Sequence, residues 1–168
     1  LNRHQFISDL YSVPFVEIQR HIMTHAPTSY RVILYRRAML RIAEAIATKV
    51  DAKALVTGEN VGQVASQTLS NMRAIEEVTP LPILRPLAGD NKEEIINEAR
   101  RIGTYEISIE PYEDCCSVFV PKHPETRAKL EKVHEIESNL DLDPLIELLR
   151  HRVGALHGEA QASGAILL

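Results

Sequence analysis

The most unusual chemical feature of the sequence is a pair of adjacent cysteines, Cys115 and Cys116, in the polar segment PYEDCCS. Neighbouring thiols cannot join distant segments as a structural disulfide does. Two thiols are also too few for a four-ligand zinc site unless histidines or a second subunit complete it. The pair therefore suggests thiol chemistry. Burial of an unreactive thiol is the commoner fate of a cysteine, and Glu113 and Asp114 would raise the pKa of a nearby thiol unless a cation compensates.

A second candidate site lies in the segment LVTGENVGQVASQ, residues 55–67, where a glycine follows a short apolar run. Gly58 would let a ligand approach the backbone closely, and Gly62 could open a helix whose free N–H groups favour a polar or anionic ligand. Gln63 and Gln67 are four residues apart, so on a helix they would share a face and could offer amide groups to an adenine edge. On spacing alone, an ordinary strand-to-helix turn is the favoured interpretation.

Basic residues are concentrated near the start of the chain, where residues 1–53 carry eight Lys/Arg against four Asp/Glu although the whole chain has a net charge of −4. Arg36, Arg37 and Arg41 fall on one predicted helix, and this set could face the phosphates of a nucleotide or an RNA. A solvated basic stripe paired with nearby carboxylates explains the same pattern. Charge alone does not decide between the two interpretations.

The elements that must position these residues alternate between strand and helix patterns. They are a strand within 10–18, helices over 17–25 and 30–50, a strand at 54–57, a helix over 62–77, a strand at 81–85, and helices over 91–102, 125–138 and 143–152. This order predicts an α/β fold with a Rossmann-like parallel sheet flanked by helices and ligands at the carboxyl ends of the strands. We expect a domain over 1–153 with an irregular cysteine-bearing loop at 105–124, then a flexible tail over 154–168.

Four segments together resemble the tRNA 4-thiouridine synthetase family. They are YRRAMLRIAE (35–44), LVTGENVGQVASQTL (55–69), LRPLAGDNKEEI (84–95) and IGTYEISIEPYEDCCSVFVPKHPETR (102–127). The likeness runs from about Val13 to Glu137 in the same order. It implies an adenine-nucleotide α-hydrolase fold and an enzyme that uses ATP to adenylate a tRNA uridine at its 4-oxygen before sulfur displaces AMP.

The resemblance also implies roles for individual residues. Arg36, Gly58 and Gln67 match positions that contact ATP, and Cys115 matches the thiol used in sulfur transfer, whereas Cys116 stands where some relatives carry no cysteine. Mg²⁺ is expected with the ATP phosphates. The implied partners are tRNA, a cysteine desulfurase or another persulfide donor, and a second copy of the chain, because family members often pair. Some members also supply sulfur for thiamine thiazole synthesis.

Several features of the family have no counterpart in the sequence. No Ser-Gly-Gly-x-Asp-Ser-type pyrophosphate loop occurs, although it should precede Leu10, and we find neither an N-terminal RNA-binding module nor a C-terminal rhodanese-like domain. We therefore expect this chain alone to be inactive as an ATPase. Two alternatives stay open, which are a non-catalytic adenine-nucleotide-binding module and another ATP-dependent ligase of the same fold.

The sequence also bears on cellular location. No apolar stretch approaches the ~20 residues needed to cross a bilayer. The first residues, LNRHQFISDLYS, lack the apolar core of a secretory signal. We expect a cytoplasmic protein.

Overall fold

The computed structural model describes residues 9–111, 123–151 and 154–156. In chain order they form β1 (Leu10–Ser12), α1 (Val16–His25), a 3₁₀ turn (Thr28–Tyr30), α2 (Arg31–Lys49), β2 (Leu55–Val56), a 3₁₀ turn (Ala65–Gln67), α3 (Leu69–Glu76), β3 (Ile83–Leu84), α4 (Lys92–Arg101), α5 (Tyr105–Ser108), α6 (Leu130–Leu140), α7 (Asp143–His151) and β4 (Gly154–Leu156). Among these described helices, none is long and apolar enough to cross a membrane.

Strands β2 and β3 pair in parallel, as the alternating pattern predicts. Leu55 lies opposite Ile83 and Val56 opposite Leu84. The amide of Thr57 donates to the carbonyl of Leu84 at 3.0 Å, so the pairing extends to the residue at which the β2 chain leaves the sheet. The carboxyl ends of both strands therefore open at the same edge, where ligands of α/β folds bind.

Helix α2 forms the centre of the core. Ten of its nineteen residues are buried, which requires packing on more than one side, and α1, α3 and α7 all contact it. Its large apolar side chains include Ile33 and Leu34, which are 1% and 0% exposed. Burying one such side chain contributes about 1.5–3 kcal/mol, so α2 is a rigid base for any polar side chain that it carries.

The antiparallel pair of β1 and β4 corrects one expected boundary. Residues 154–156 were expected to begin a flexible tail, yet Leu10 pairs with Leu156 and Ser12 with Gly154. Backbone N–H and C=O groups of β1 find partners in this way, because an unpaired strand would leave them without hydrogen bonds. The tail prediction is therefore wrong for these three residues, and residues 157–168 lie outside the described part.

Helix α3 begins later than predicted, after a loop and a 3₁₀ turn. Gly62 has φ +80°, a left-handed conformation that suits glycine and ends any regular helix there. Thr68 supplies the true N-cap, since its side-chain oxygen accepts from the amide of Asn71 at 3.2 Å. The predictions that Gly62 opens a helix and that Gln63 shares a helix face with Gln67 are therefore wrong.

Helix α4 is confirmed, and a capping box at Asn91 begins it. Asn91 Oδ1 accepts from the amides of Glu93 and Glu94 at 3.0 Å each. Glu94 Oε2 in turn accepts from the amide of Asn91 at 2.7 Å. Asn91 has the extended backbone of an N-cap, so the reciprocal pair forms there.

The segment predicted to be irregular contains one helical turn. Helix α5 occupies 105–108 within the expected loop at 105–124, and residues 112–122 lie outside the described part. Helix α6 begins at Leu130 instead of at residue 125, because residues 125–128 make other contacts that are described below. Helix α7 matches its predicted start at Asp143.

Candidate nucleotide-binding site

A buried carboxylate, Glu59, lies just beyond the carboxyl end of β2. Its side chain is 4% exposed. Arg36 Nη2 from helix α2 donates to Oε1 at 2.5 Å, and Arg85 Nε from the end of β3 donates to Oε2 at 2.8 Å. Thr57 Oγ1 also donates to Oε2 at 3.0 Å. Three separate elements thus converge on one carboxylate.

The charge state of Glu59 follows from this environment. Burial by itself would raise the pKa of the carboxyl, but the charge of Arg36 and the hydrogen bonds from Arg85 and Thr57 outweigh burial, so the pKa lies below its ordinary value. Glu59 is therefore a carboxylate at neutral pH. A charge-assisted acceptor of this kind fixes the orientation of both guanidinium groups.

Arg36 lies between this buried cluster and solvent. Its side chain is 30% exposed, and its Nε is buried without a hydrogen-bond partner among the described residues. A small cavity of about 50 Å³ opens beside it, lined by Arg36, Met39, Leu40, Thr57, Glu59 and Ile75. Such a volume admits water but not a purine ring, so a nucleotide would have to lie across its mouth.

Gly58 provides an open backbone at the same place. It is exposed, and a Cβ added there would meet no atom within 4 Å. Its neighbours Thr57 and Glu59 are buried in the cluster, so of these three residues the glycine alone is exposed to solvent. The structure thus brings Gly58 and Arg36 to one edge, joined through Glu59.

Gln67 lies on the adjoining loop. The amide of Gly62 donates to the carbonyl of Gln67 at 2.8 Å and closes this loop. The Gln67 side chain is partly buried, and its Oε1 has no hydrogen-bond partner among the described residues. An unsatisfied buried acceptor is costly, and a ligand donor would relieve that cost. Gln67 Oε1 is therefore available to accept a hydrogen bond from a ligand.

Asn60 joins the loop after β2 to the loop after β3. Its Nδ2 donates to the carbonyl of Leu87 at 2.9 Å and also to that of Asp90. The amide of Val61 donates to the carbonyl of Ala88 at 3.1 Å. The two loops at the carboxyl edge therefore form one continuous surface.

Two arginines suggested for phosphate binding have other partners. Arg37 is 3% exposed, donates to Glu137 through two nitrogens at 2.8 and 2.7 Å, and also reaches Glu77 and the carbonyl of Ala74. Arg41 pairs with Asp143. The prediction of a phosphate-facing set is wrong for Arg37, because a buried guanidinium cannot reach a polyanion. The solvated-stripe interpretation is wrong for it as well.

The predicted thiol site cannot be located in the same way. Cys115 and Cys116 lie outside the described residues, as do Glu113 and Asp114. The description stops at Pro111 and resumes at residue 123. The role predicted for Cys115 therefore stays a prediction.

Sequence reasoning missed Glu59 and Arg85 as members of the site. A signal for both was available, because Arg85 ends one predicted strand and Glu59 comes just after another. Parallel neighbours share that edge, so opposite charges placed there are expected to meet. The sequence pattern indicated Gly58, because a glycine suits ligand approach, but Glu59, which orients the arginines, was not predicted.

Comparison with known proteins identifies the family. The family model described as "Thiamine biosynthesis protein (ThiI)" matches residues 1–142. The chain belongs to this family. A probable tRNA sulfurtransferase from Thermus thermophilus is 57% identical over 148 residues, covering 88% of this chain and 36% of that protein. Another from Bacillus pumilus is 53% identical over 138 residues, covering 82% of this chain and 34% of that protein.

A solved structure confirms the fold. The crystal structure of a 4-thiouridine synthetase–RNA complex with bound ATP matches with a TM-score of 0.81 at 43% identity, covering 89% of this chain and 39% of that one. The predicted α/β class and the family resemblance are thus confirmed. The chain spans about a third of the length of the relatives it matches.

Proposed function

We propose that this chain is part of a tRNA uridine 4-sulfurtransferase, in which it holds the adenine half of ATP and carries the thiol for sulfur transfer. The main support is the cluster at the carboxyl edge of the parallel strands, where Glu59 orients Arg36 beside the open backbone of Gly58. The relatives named tRNA sulfurtransferase and the neighbour solved with RNA and ATP support the same reaction.

The described residues suit the adenosine part of ATP better than its phosphates. The adenine would lie over the backbone of Gly58, with the partly exposed Arg36 beside it. Gln67 Oε1, which has no hydrogen-bond partner in the described part of the chain, would be the acceptor. No group of three His, Cys, Asp or Glu side chains within the described ranges could hold a metal ion. Mg²⁺ would bind with the ATP phosphates, as is usual for this cation.

The reaction follows in two stages. The uridine 4-oxygen attacks the α-phosphorus of ATP, and pyrophosphate leaves with the electrons of the broken P–O bond. The terminal sulfur of a persulfide then attacks C4, and AMP leaves with the electrons of the C–O bond. The Cys115 thiolate attacks the inner sulfur, so the persulfide carrier and Cys115 become a disulfide while the terminal sulfur stays on the uridine.

The partners follow from this chemistry. A cysteine desulfurase or another persulfide donor supplies the sulfur, and tRNA is the acceptor. We expect the reaction to take place in the cytoplasm. A second copy of the chain is a further partner, and the same sulfur could serve thiamine thiazole synthesis. The remaining two thirds of the family length would supply what this chain lacks, so we expect the chain alone not to complete the reaction.

A glycine substitution tests the nucleotide site. Gly58→Ala adds a methyl group that meets no protein atom, so the melting temperature should stay unchanged while ATP binding, measured by calorimetry, weakens. Gly89→Ala is the matched control, since an added Cβ there also meets nothing and its φ is not positive. Equal ATP affinity for Gly58→Ala and Gly89→Ala would place the nucleotide elsewhere.

The sulfur chemistry is tested by single-turnover thiolation in a protein of full family length that carries this chain. With ATP, tRNA and a persulfide donor, 4-thiouridine should form, and mass spectrometry of digested tRNA measures it. Cys115→Ser should abolish the product and Cys116→Ser should leave most of it, and the reverse pattern would refute the assignment. ATP binding without any product would favour a non-catalytic nucleotide-binding module.

A further inference from the structure

The side-chain amide of Asn71 joins two segments that are far apart in the sequence. Asn71 is 0% exposed. Its Nδ2 donates to the carbonyl of Ala65 at 2.7 Å and to that of Glu125 at 2.6 Å. Its Oδ1 accepts from the amide of Ala128 at 2.9 Å. Both amide protons and the carbonyl oxygen are thus used, which holds the two segments in one arrangement.

Neighbouring contacts strengthen this joint. Thr68 Oγ1 donates to the carbonyl of Thr126 at 2.7 Å, and the amide of Glu125 donates to the carbonyl of Ser29 at 2.9 Å. Glu125 Oε1 accepts from the amides of Thr126 and Arg127 at 2.9 and 2.8 Å. These bonds hold residues 125–128 out of helical geometry, which explains why α6 begins only at residue 130.

The two joined segments belong to the two halves of the proposed reaction. Ala65 lies in the same 3₁₀ turn as Gln67, on the loop that would contact adenine. Glu125 comes ten residues after Cys115 and is therefore on the chain that leads away from the predicted thiol. Asn71 itself lies in α3, whose Ala74 and Ile75 are buried in the core. The joint thus anchors both segments to the same rigid helix.

We propose that Asn71 is a positioning residue that holds the segment following the thiol against the nucleotide loop. This role rests on the proposed function. Adenylation and sulfur transfer use different groups, so a loosened joint would leave adenylation running while transfer becomes slow. A misplacement of about 1 Å costs on the order of 100-fold in a positioned reaction. Water would then hydrolyse the waiting adenylated uridine, which releases AMP and regenerates uridine, so AMP would form without a matching amount of 4-thiouridine.

The test measures AMP and 4-thiouridine together, in a protein of full family length supplied with ATP, tRNA and a persulfide donor. Wild type should give a ratio near one. Asn71→Ala and Thr68→Val, which remove donors to residues 125 and 126, should raise the ratio about tenfold or more, by the positioning argument above. Thr68→Ser keeps the donor and should restore the wild-type ratio. Thr68→Val preserves side-chain volume, so it carries the test if Asn71→Ala does not fold.

A matched control separates positioning from stability. Asn91→Ala removes the cap of α4 and destabilises the fold as loss of the Thr68 cap does, but among the described residues the Asn91 side chain bonds only to its own helix. Its AMP-to-thiouridine ratio should equal that of wild type. If Asn71→Ala and Thr68→Val lower both products in proportion, as a purely structural role requires, the inference is overturned.

Hydrogen exchange gives a second readout that needs no activity. The amide of Ala128 donates to Asn71 Oδ1, so Asn71→Ala should remove its protection while Asn91→Ala should not. Unchanged protection at Ala128 would refute the joint itself. If wild type yields no 4-thiouridine while Ala128 is protected, the joint exists but the proposed function and the role built on it both fail.

Discussion

The buried guanidinium of Arg37 gives the sharpest prediction about stability. Two of its nitrogens donate to Glu137 at 2.8 and 2.7 Å, while Nη1 reaches Glu77 at 3.1 Å and the carbonyl of Ala74. Arg37 is 3% exposed, whereas Glu137 and Glu77 are 19% and 40% exposed. The desolvated charge is therefore the arginine, and its carboxylate partners can still reach water.

Two substitutions should differ for this reason. Glu137→Ala leaves the buried arginine with Glu77, a partly exposed carboxylate whose charge is screened by water. Breaking a buried pair costs about 3–5 kcal/mol. Because Glu77 remains, we expect the lower end, about 3 kcal/mol. Arg37→Met removes the charge and fills most of the space, so its main cost is the lost donor to Ala74, about 1–2 kcal/mol.

Urea unfolding at pH 7 measures both costs, and Glu135→Ala on the same helix is the matched control. Glu135 pairs with Lys132 at 2.9 Å on the exposed surface, where such a pair contributes at most about 0.5 kcal/mol. The double variant Arg37→Met/Glu137→Ala should cost less than the sum of its parts. A larger cost for Arg37→Met than for Glu137→Ala would refute the view that desolvation of the arginine dominates.

Three further predictions concern charge. The pKa of Glu59 is lowered in the fold, so the stability it contributes is present above the ordinary value of 4.5 and is lost as pH falls through the lowered pKa. The melting temperature of Glu59→Gln should therefore depend less on pH in that acidic range. An unchanged pH dependence would contradict the lowered pKa of Glu59. Arg41→Ala should leave the salt slope of tRNA binding unchanged, because Asp143 already pairs with this arginine; a slope shallower by about one unit would restore a phosphate role. Adenosine and ATP should bind the chain within about tenfold of each other, since Arg36 and Arg85 face the carboxylates of Glu59 and Glu76; an ATP preference above about 100-fold would contradict this balance.

The sequence predicted the elements whose signals are local. Helix α2 was expected over 30–50 and occupies 31–49, because its apolar spacing and its burial agree. The β2 strand was expected at 54–57 from a short apolar run before Gly58, and it pairs in parallel as the alternation requires. These predictions needed only the spacing of the apolar residues and a turn residue at the end of the run.

The sequence could not predict features that depend on contacts between distant residues. Helix α6 starts late because Asn71, 57 positions before Ala128, binds that segment, and no local pattern reports this bond. The start of α3 depended on whether Gly62 continued a helix or adopted a positive φ, and both are compatible with a glycine. The contact of Arg36 with Glu59 also depends on the packing of α2 beside the end of β2, which no local pattern reports.

The charge asymmetry of the chain is explained within the fold. Arg36 and Arg37 are adjacent, so they lie about 100° apart on α2 and face different neighbours, whereas Arg37 and Arg41 are one turn apart and share a face. Each of these arginines pairs with a carboxylate from beyond residue 53: Arg36 with Glu59, Arg37 with Glu77 and Glu137, and Arg41 with Asp143. The basic first segment and the acidic remainder are therefore complementary parts of one core. An excess of positive charge near the start of the sequence is thus poor evidence for an RNA surface here.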